Sequence, residues 1–137
     1  MSIVERTKAL GLPLDQIVVI GSGVMDALGL REARDIDLVV TMTLFDELKQ
    51  TGEYKLTVKF DQEVLEKDDA EIWLSWGNEG VENFYQLYAD GITMGDVRFA
   101  NPEFVLWWKR DANRPKDQND IELLSSYLNT KNSTEQA

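Results

Sequence analysis

IVVIGSGVMDALGLREARDIDLVV, residues 17–40, reads as a buried strand, a glycine turn, a short helix, a loop and a second buried strand. Ile17-Val18-Val19-Ile20 is a β-branched run with no polar alternation, the pattern of a strand covered on both faces. Gly21-Ser22-Gly23 lets the backbone turn sharply into a helix over Val24–Leu28, with Ser22 able to cap it and Gly29 closing it. At that turn, backbone N–H groups and the Ser22 hydroxyl could meet phosphate oxygens, or the small residues could serve the turn alone. The second strand, Ile36 to Val40, opens on Asp35 and Asp37. Side chains two apart on a strand share a face, about 6–7 Å apart at the backbone. Two ionised carboxylates there repel one another unless Asp35 pairs with Arg31 or Arg34. A hard divalent cation such as Mg²⁺ removes the conflict, because it binds carboxylate oxygen.

Working outward, residues 3–10 (IVERTKAL) predict a short amphipathic helix ended by Gly11 and Pro13. Thr43-Leu44-Phe45-Asp46 resembles a capping box for a helix that Gly52 stops. Tyr54 to Phe60 alternates, with Tyr54, Leu56, Val58 and Phe60 on one face and Lys55, Thr57 and Lys59 on the other, as in a half-buried strand. Residues 61–69 read as a polar connector. Ala70 to Ser75 returns to strand character, with Glu71, Trp73 and Ser75 sharing a face. Gly77-Asn78-Glu79-Gly80 predicts a turn and Val81–Ala89 a helix. Ile92–Phe99 predicts a hairpin turning at Gly95-Asp96. Asn101-Pro102-Glu103 starts a helix containing Trp107 and Trp108, which cannot both face a core. Asp117 then caps a last helix reaching Tyr127. Residues 129–137 read as a polar tail expected to fray, leaving 1–128 as one domain.

Composition narrows the chemistry. The 137 residues suit one domain, 43% of them hydrophobic, with five Phe, four Trp and four Tyr for a core. No cysteine is present, which removes disulfides, a thiol nucleophile and cysteine-bound zinc. No histidine is present either, so imidazole acid–base work and Ser-His-Asp hydrolysis are excluded. A net charge of −11 argues against general nucleic-acid binding and would suit a cationic small molecule. No apolar run is long enough to span a membrane, and MSIVERTKALGL lacks the apolar stretch of a signal peptide, so a cytoplasmic location is expected.

Ile20-Gly21-Ser22, twelve intervening residues and then Asp35-Ile36-Asp37-Leu38 resemble the signature of the DNA polymerase β-like nucleotidyltransferase superfamily. Asp26, Gly29 and Arg31 add a likeness to lincosamide and aminoglycoside nucleotidyltransferases, with a more distant one to nucleotidyltransferase-like toxins and antitoxins. The resemblance implies an α/β (α+β) fold, a small mixed sheet flanked by helices. It implies Mg²⁺-dependent transfer of a nucleoside monophosphate from an NTP to an acceptor hydroxyl. Asp35 and Asp37 would hold metal, and a third carboxylate on a neighbouring strand would complete the set. Glu71 fits that place, with Asp69 and Asp96 as competitors. Gly21 and Ser22 would touch phosphate. The segment GDVRFANPEFVLWWKRDANRPKDQNDIELL resembles the tail of many members, which implies that Lys109 faces the triphosphate, with Lys116, Asp117 and Asp120 in the next element. From the residues alone, Lys109 could equally be a solvated helix-end cation, and Asp117 and Asp120 cap a helix and offset its dipole. Antibiotic-modifying members carry additional acceptor-binding structure, so here the acceptor site is expected from the C-terminal helices, a second copy or a partner protein. A catalytically inactive module of the same fold, such as a toxin–antitoxin component, is the alternative.

Overall fold

In the computed structural model, which describes residues 1–76 and 83–136, the β-branched run becomes β1 (Ile17–Ile20). All four of its residues are fully buried, because strands flank it on both edges and other elements cover its faces. β2 (Ile36–Val40) lies antiparallel on one side, and β7 (Val97–Phe99) lies parallel on the other. β5 (Ala70–Trp73) runs parallel to β2, followed outward by β4 (Gln62–Lys67) and β3 (Lys55–Lys59), each antiparallel to its neighbour. β6 (Ile92–Met94) closes the far edge as the hairpin partner of β7. The sheet order is β3-β4-β5-β2-β1-β7-β6, a seven-stranded mixed sheet. The α/β reading therefore holds.

Six helices accompany it among the described residues. α1 (Ile3–Lys8) is capped by Ser2, whose hydroxyl accepts from the Glu5 N–H at 3.1 Å. α2 (Ser22–Ala27) starts directly at the glycine turn, two residues before the expected start, and packs on β1 and β2. α3 (Met42–Thr51) is capped by Thr41 rather than Thr43. Thr41 ends β2 with extended backbone, so its hydroxyl is already placed to accept from the Leu44 N–H at 3.2 Å. Gly52, left-handed at φ 74°, ends α3 as expected. α4 spans Phe84–Asp90, and the predicted Gly77–Gly80 turn and the start at Val81 lie outside the described residues. α5 (Pro102–Ala112) begins at Asn101, whose side chain accepts from the Glu103 N–H at 2.8 Å. After a 3-10 turn at Pro115–Asp117, α6 (Gln118–Gln136) runs on through the segment read as a polar tail. No helix among the described residues is long and apolar enough to cross a membrane.

Two expectations are corrected on the β3 side. Residues 61–69 are not a connector, because Gln62–Lys67 is β4, with Val64 and Leu65 fully buried. The strand was masked by its charged residues, which pair with residues elsewhere in the fold: Glu63 with Lys49 on α3, Glu66 with Lys59 on β3, and Lys67 with Glu53. The alternation in Tyr54–Phe60 does mark a strand, but its apolar face is the open one. Leu56, Val58 and Phe60 are 46%, 71% and 75% exposed, while Thr57 and Lys59 are half-buried. β3 is an edge strand, and its polar face is the one turned over the carboxylates described next.

Candidate active site

The geometry follows from strand register. Asp37 on β2 stands directly opposite Glu71 on β5, and Glu71 stands opposite Glu66 on β4. Side chains in register across a sheet share a face, so the parallel β2–β5 pairing alone brings Asp37 and Glu71 together. Asp35, two residues before Asp37, joins the same cavity, as do Gly21 and Ser22 from the end of β1. The cavity measures about 440 Å³ and is bordered on its other sides by Arg31, Lys59, Phe60, Trp76, Trp108, Lys109, Arg114, Lys116, Asp117 and Asp120. All six site residues expected from the sequence thus line one cavity. Asp69 and Asp96 do not: Asp69 is bound to Arg6 at 2.7 Å, and Asp96 sits in the β6–β7 turn, 3.6 Å from Lys8.

Gly21 has φ 64° and ψ −135°, a conformation essentially confined to glycine, and a Cβ there would lie 3.3 Å from Asp37 Oδ2. Gly21→Ala is expected to cost roughly 1–3 kcal/mol of backbone strain, measured by denaturant unfolding. The glycine serves the turn and the close approach to Asp37 together.

The carboxylates are electrostatically unequal. Burial, then a hydrogen bond to Glu71 and the charges of Glu71 and Asp35, push the Asp37 carboxyl up to about 7. Its Oδ1 is buried and has no hydrogen-bond partner. Burial works in the same direction on Glu71, but hydrogen bonds with Lys59 and Asp37 outweigh it and hold Glu71 below its ordinary value. Lys59 bridges Glu66, at 2.7 Å, and Glu71 in a close ion pair, and both contacts keep its ammonium charged. As the side chains stand, no three of His, Cys, Asp and Glu form a ligand cage among the described residues. The donor set nevertheless fits a hard cation. It offers three carboxylates on one face, one of them with an orphaned buried oxygen whose ionisation its surroundings oppose.

The opposite wall is a buried ion cluster. Lys109 is 4% exposed, and its Nζ lies 3.1 Å from Asp117 Oδ1 and 3.2 Å from Asp120 Oδ2. Arg31 donates to both oxygens of Asp120 at 2.6 and 2.8 Å, and Arg114 donates to Asp117 at 2.6 Å while stacking on Trp108. Burial would raise both aspartates, but Arg114 and Lys109 on Asp117, and Arg31 and Lys109 on Asp120, hold them below their ordinary range. Asp117, directly before α6, and Asp120, in its first turn, stand where position placed them and are also ion-pair partners, and Arg31 pairs with Asp120 rather than Asp35. Lys109 lines the cavity with its charge already committed. Lys116 is exposed in the same lining and makes no ion pair among the described residues. Sequence reading missed Lys59, Phe60 and Trp76 as site residues. The Tyr54–Phe60 alternation placed Lys59 opposite the apolar face but could not show what that face looks onto.

No family model matches this chain, and no curated protein matches it. Among solved structures it is similar to ANT(2″)-Ia in complex with adenylyl-2″-tobramycin, at a TM-score of 0.52 and 19% identity, over 96% of this chain and 88% of that one. The similarity extends across nearly the whole chain, and the protein has a nucleotidyltransferase-like fold.

Proposed function

We propose that the protein transfers a nucleoside monophosphate from an NTP to a hydroxyl of an acceptor molecule. The observation that carries this reading is the convergence of Asp35, Asp37 and Glu71, from two parallel-paired strands, on one cavity with Gly21 and Ser22. Asp35, Asp37 and Glu71 would hold Mg²⁺, which when bound would supply positive charge against the triphosphate and the departing pyrophosphate. The residues around it have complementary tasks. Gly21 and Ser22 present a backbone N–H and a hydroxyl to phosphate, and Lys116 supplies the uncommitted positive charge. The buried Lys109–Asp117–Asp120–Arg31 cluster holds the wall rigid. The acceptor oxygen attacks the α-phosphorus, its proton passes to a carboxylate, and the bond from the α-phosphorus to the bridging oxygen breaks. The acidic surface, with a net charge of −11, favours a cationic acceptor. The adenylylated tobramycin in the similar structure is of that kind.

Incubation with α-labelled ATP, GTP, CTP or UTP, Mg²⁺ and either a cell extract or a panel of polyamine and amino-sugar acceptors should move label onto an acceptor. Asp35→Asn and Glu71→Gln should each reduce that transfer by at least about 100-fold. Absence of transfer from all four nucleotides would favour the second reading, a non-catalytic module of the same fold that binds a nucleotide or a partner protein. The ion pair that Lys59 makes with Glu71 is the feature that favours it.

A further inference from the structure

The turn joining β3 to β4 is Phe60-Asp61, and both residues have positive φ, 52° and 61°. Two-residue hairpin turns of this kind select Asn, Asp and Gly, because a Cβ is crowded there. Asp61 obeys the rule. Phe60 breaks it, and a bulky aromatic at positive φ is a backbone outlier. Packing does not compensate for the strain, since Phe60 is 75% exposed. Among the described residues its ring has one aromatic neighbour, Trp73, at 6.2 Å between centroids, and it borders the cavity that holds the carboxylates. Trp73 continues edge-on to Trp76 at 5.0 Å, and Trp76 continues to Trp108 at 5.0 Å. Trp76 and Trp108 border the same cavity. The cavity therefore has a charged portion, made by Gly21, Ser22 and the carboxylates, and an aromatic portion that includes an exposed ring held at a conformational cost. Strain retained without burial marks a functional position.

We propose that Phe60 is the stacking platform for the nucleobase of the bound NTP, an inference that rests on the nucleotidyl-transfer reading of this cavity. Stacking accepts any base, so selection among ATP, GTP, CTP and UTP at this position is weak. Phe60→Asn separates this role from a structural one, because Asn suits the left-handed turn. The variant is expected to unfold at a higher temperature than the wild type while binding nucleotide more weakly.

Calorimetry in Mg²⁺ would compare inorganic tripolyphosphate with non-hydrolysable ATP and CTP analogues, on wild type, Phe60→Asn and Phe60→Tyr. The expected result is a loss of roughly ten-fold in affinity for both analogues in Phe60→Asn. Tripolyphosphate binding stays unchanged, and Phe60→Tyr restores analogue binding. Unchanged analogue affinity in Phe60→Asn overturns the proposal, and so does an equal loss for analogues and tripolyphosphate, which would indicate a disturbed phosphate site. Failure of the wild type to bind either kind of ligand overturns the nucleotidyl-transfer reading itself.

Discussion

Replacing Asp37 with Asn is expected to make the metal-free protein more stable at neutral and alkaline pH, by about 2–4 kcal/mol, and to abolish the Mg²⁺-dependent nucleotide binding proposed above. The sign comes from the carboxyl's environment. In the folded chain Asp37 ionises near pH 7, against an ordinary value of 3.8. Between those limits the folded protein keeps a proton that the unfolded chain releases, so stability falls as pH rises from about 4 to about 7 and then levels off. The full displacement corresponds to roughly 4 kcal/mol, an upper bound because water and side-chain relaxation reduce it. Asn keeps the shape and can still hydrogen-bond Glu71, but it carries no charge to desolvate. Urea unfolding at a series of pH values checks this. The difference between variant and wild type should be near zero at pH 4 and largest at pH 8, and a flat difference would show that Asp37 is not ionised against its surroundings. On the proposed metal role the same group would link metal to protons, since Mg²⁺ needs the ionised form. Apparent Mg²⁺ affinity of the wild type should therefore climb with pH up to about 7 and then plateau.

Lys109→Met lowers stability by about 3–5 kcal/mol, the usual cost of removing one partner from a buried ion pair. For a domain of this size that is a drop in Tm on the order of 10–15 °C. The lysine is held between Asp117 and Asp120, and all three are buried. Methionine fills the space but leaves two buried carboxylates with only Arg114 and Arg31 for charge balance. Adding Asp117→Asn and Asp120→Asn should recover most of the loss. A lysine whose task was only to meet a triphosphate would behave differently, because its replacement would leave Tm unchanged while weakening nucleotide binding. The cluster also sets an acid limit. Both aspartates are held below their ordinary values, so their contribution is complete above about pH 4 and is lost as pH falls through the lowered folded values. Thermal scans of the two variants and wild type at pH 3 and pH 7 measure this directly.

How much of the molecule was legible before its structure differs by region, for physical reasons. The β1–turn–α2–β2 unit was readable because its signals are local: an unbroken β-branched run, a glycine at positive φ and two acids at strand spacing all lie within 24 residues. The β6–β7 hairpin and the Asn101 cap were readable on the same grounds. β4 was not, because a strand whose charges are paired with residues of other elements looks like a loop when those partners are unknown. For β3, the alternation located the strand but not its buried side. Which side of a strand is covered depends on what packs over it, and an edge strand can leave its apolar row in solvent.

The site divides in the same way. Asp35, Asp37, Gly21 and Ser22 belong to one continuous stretch, and their proximity follows from chain geometry. Glu71 enters through the parallel pairing of β5 with β2, and Lys59 and Phe60 enter through a hairpin that folds back toward that pair. The committed charge of Lys109 depends on Asp117 and Asp120, which a turn and a helix return to it, and on Arg31, 89 positions away from Asp120. Short-range order of residue types sufficed for the paired carboxylates and the turn beside them, since a strand's two-residue period and a glycine's freedom are properties of the local chain. Partner choice among charges, and the exposure of Phe60 at the cavity, arise from contacts between segments far apart in the chain, and those exist only once the sheet has assembled.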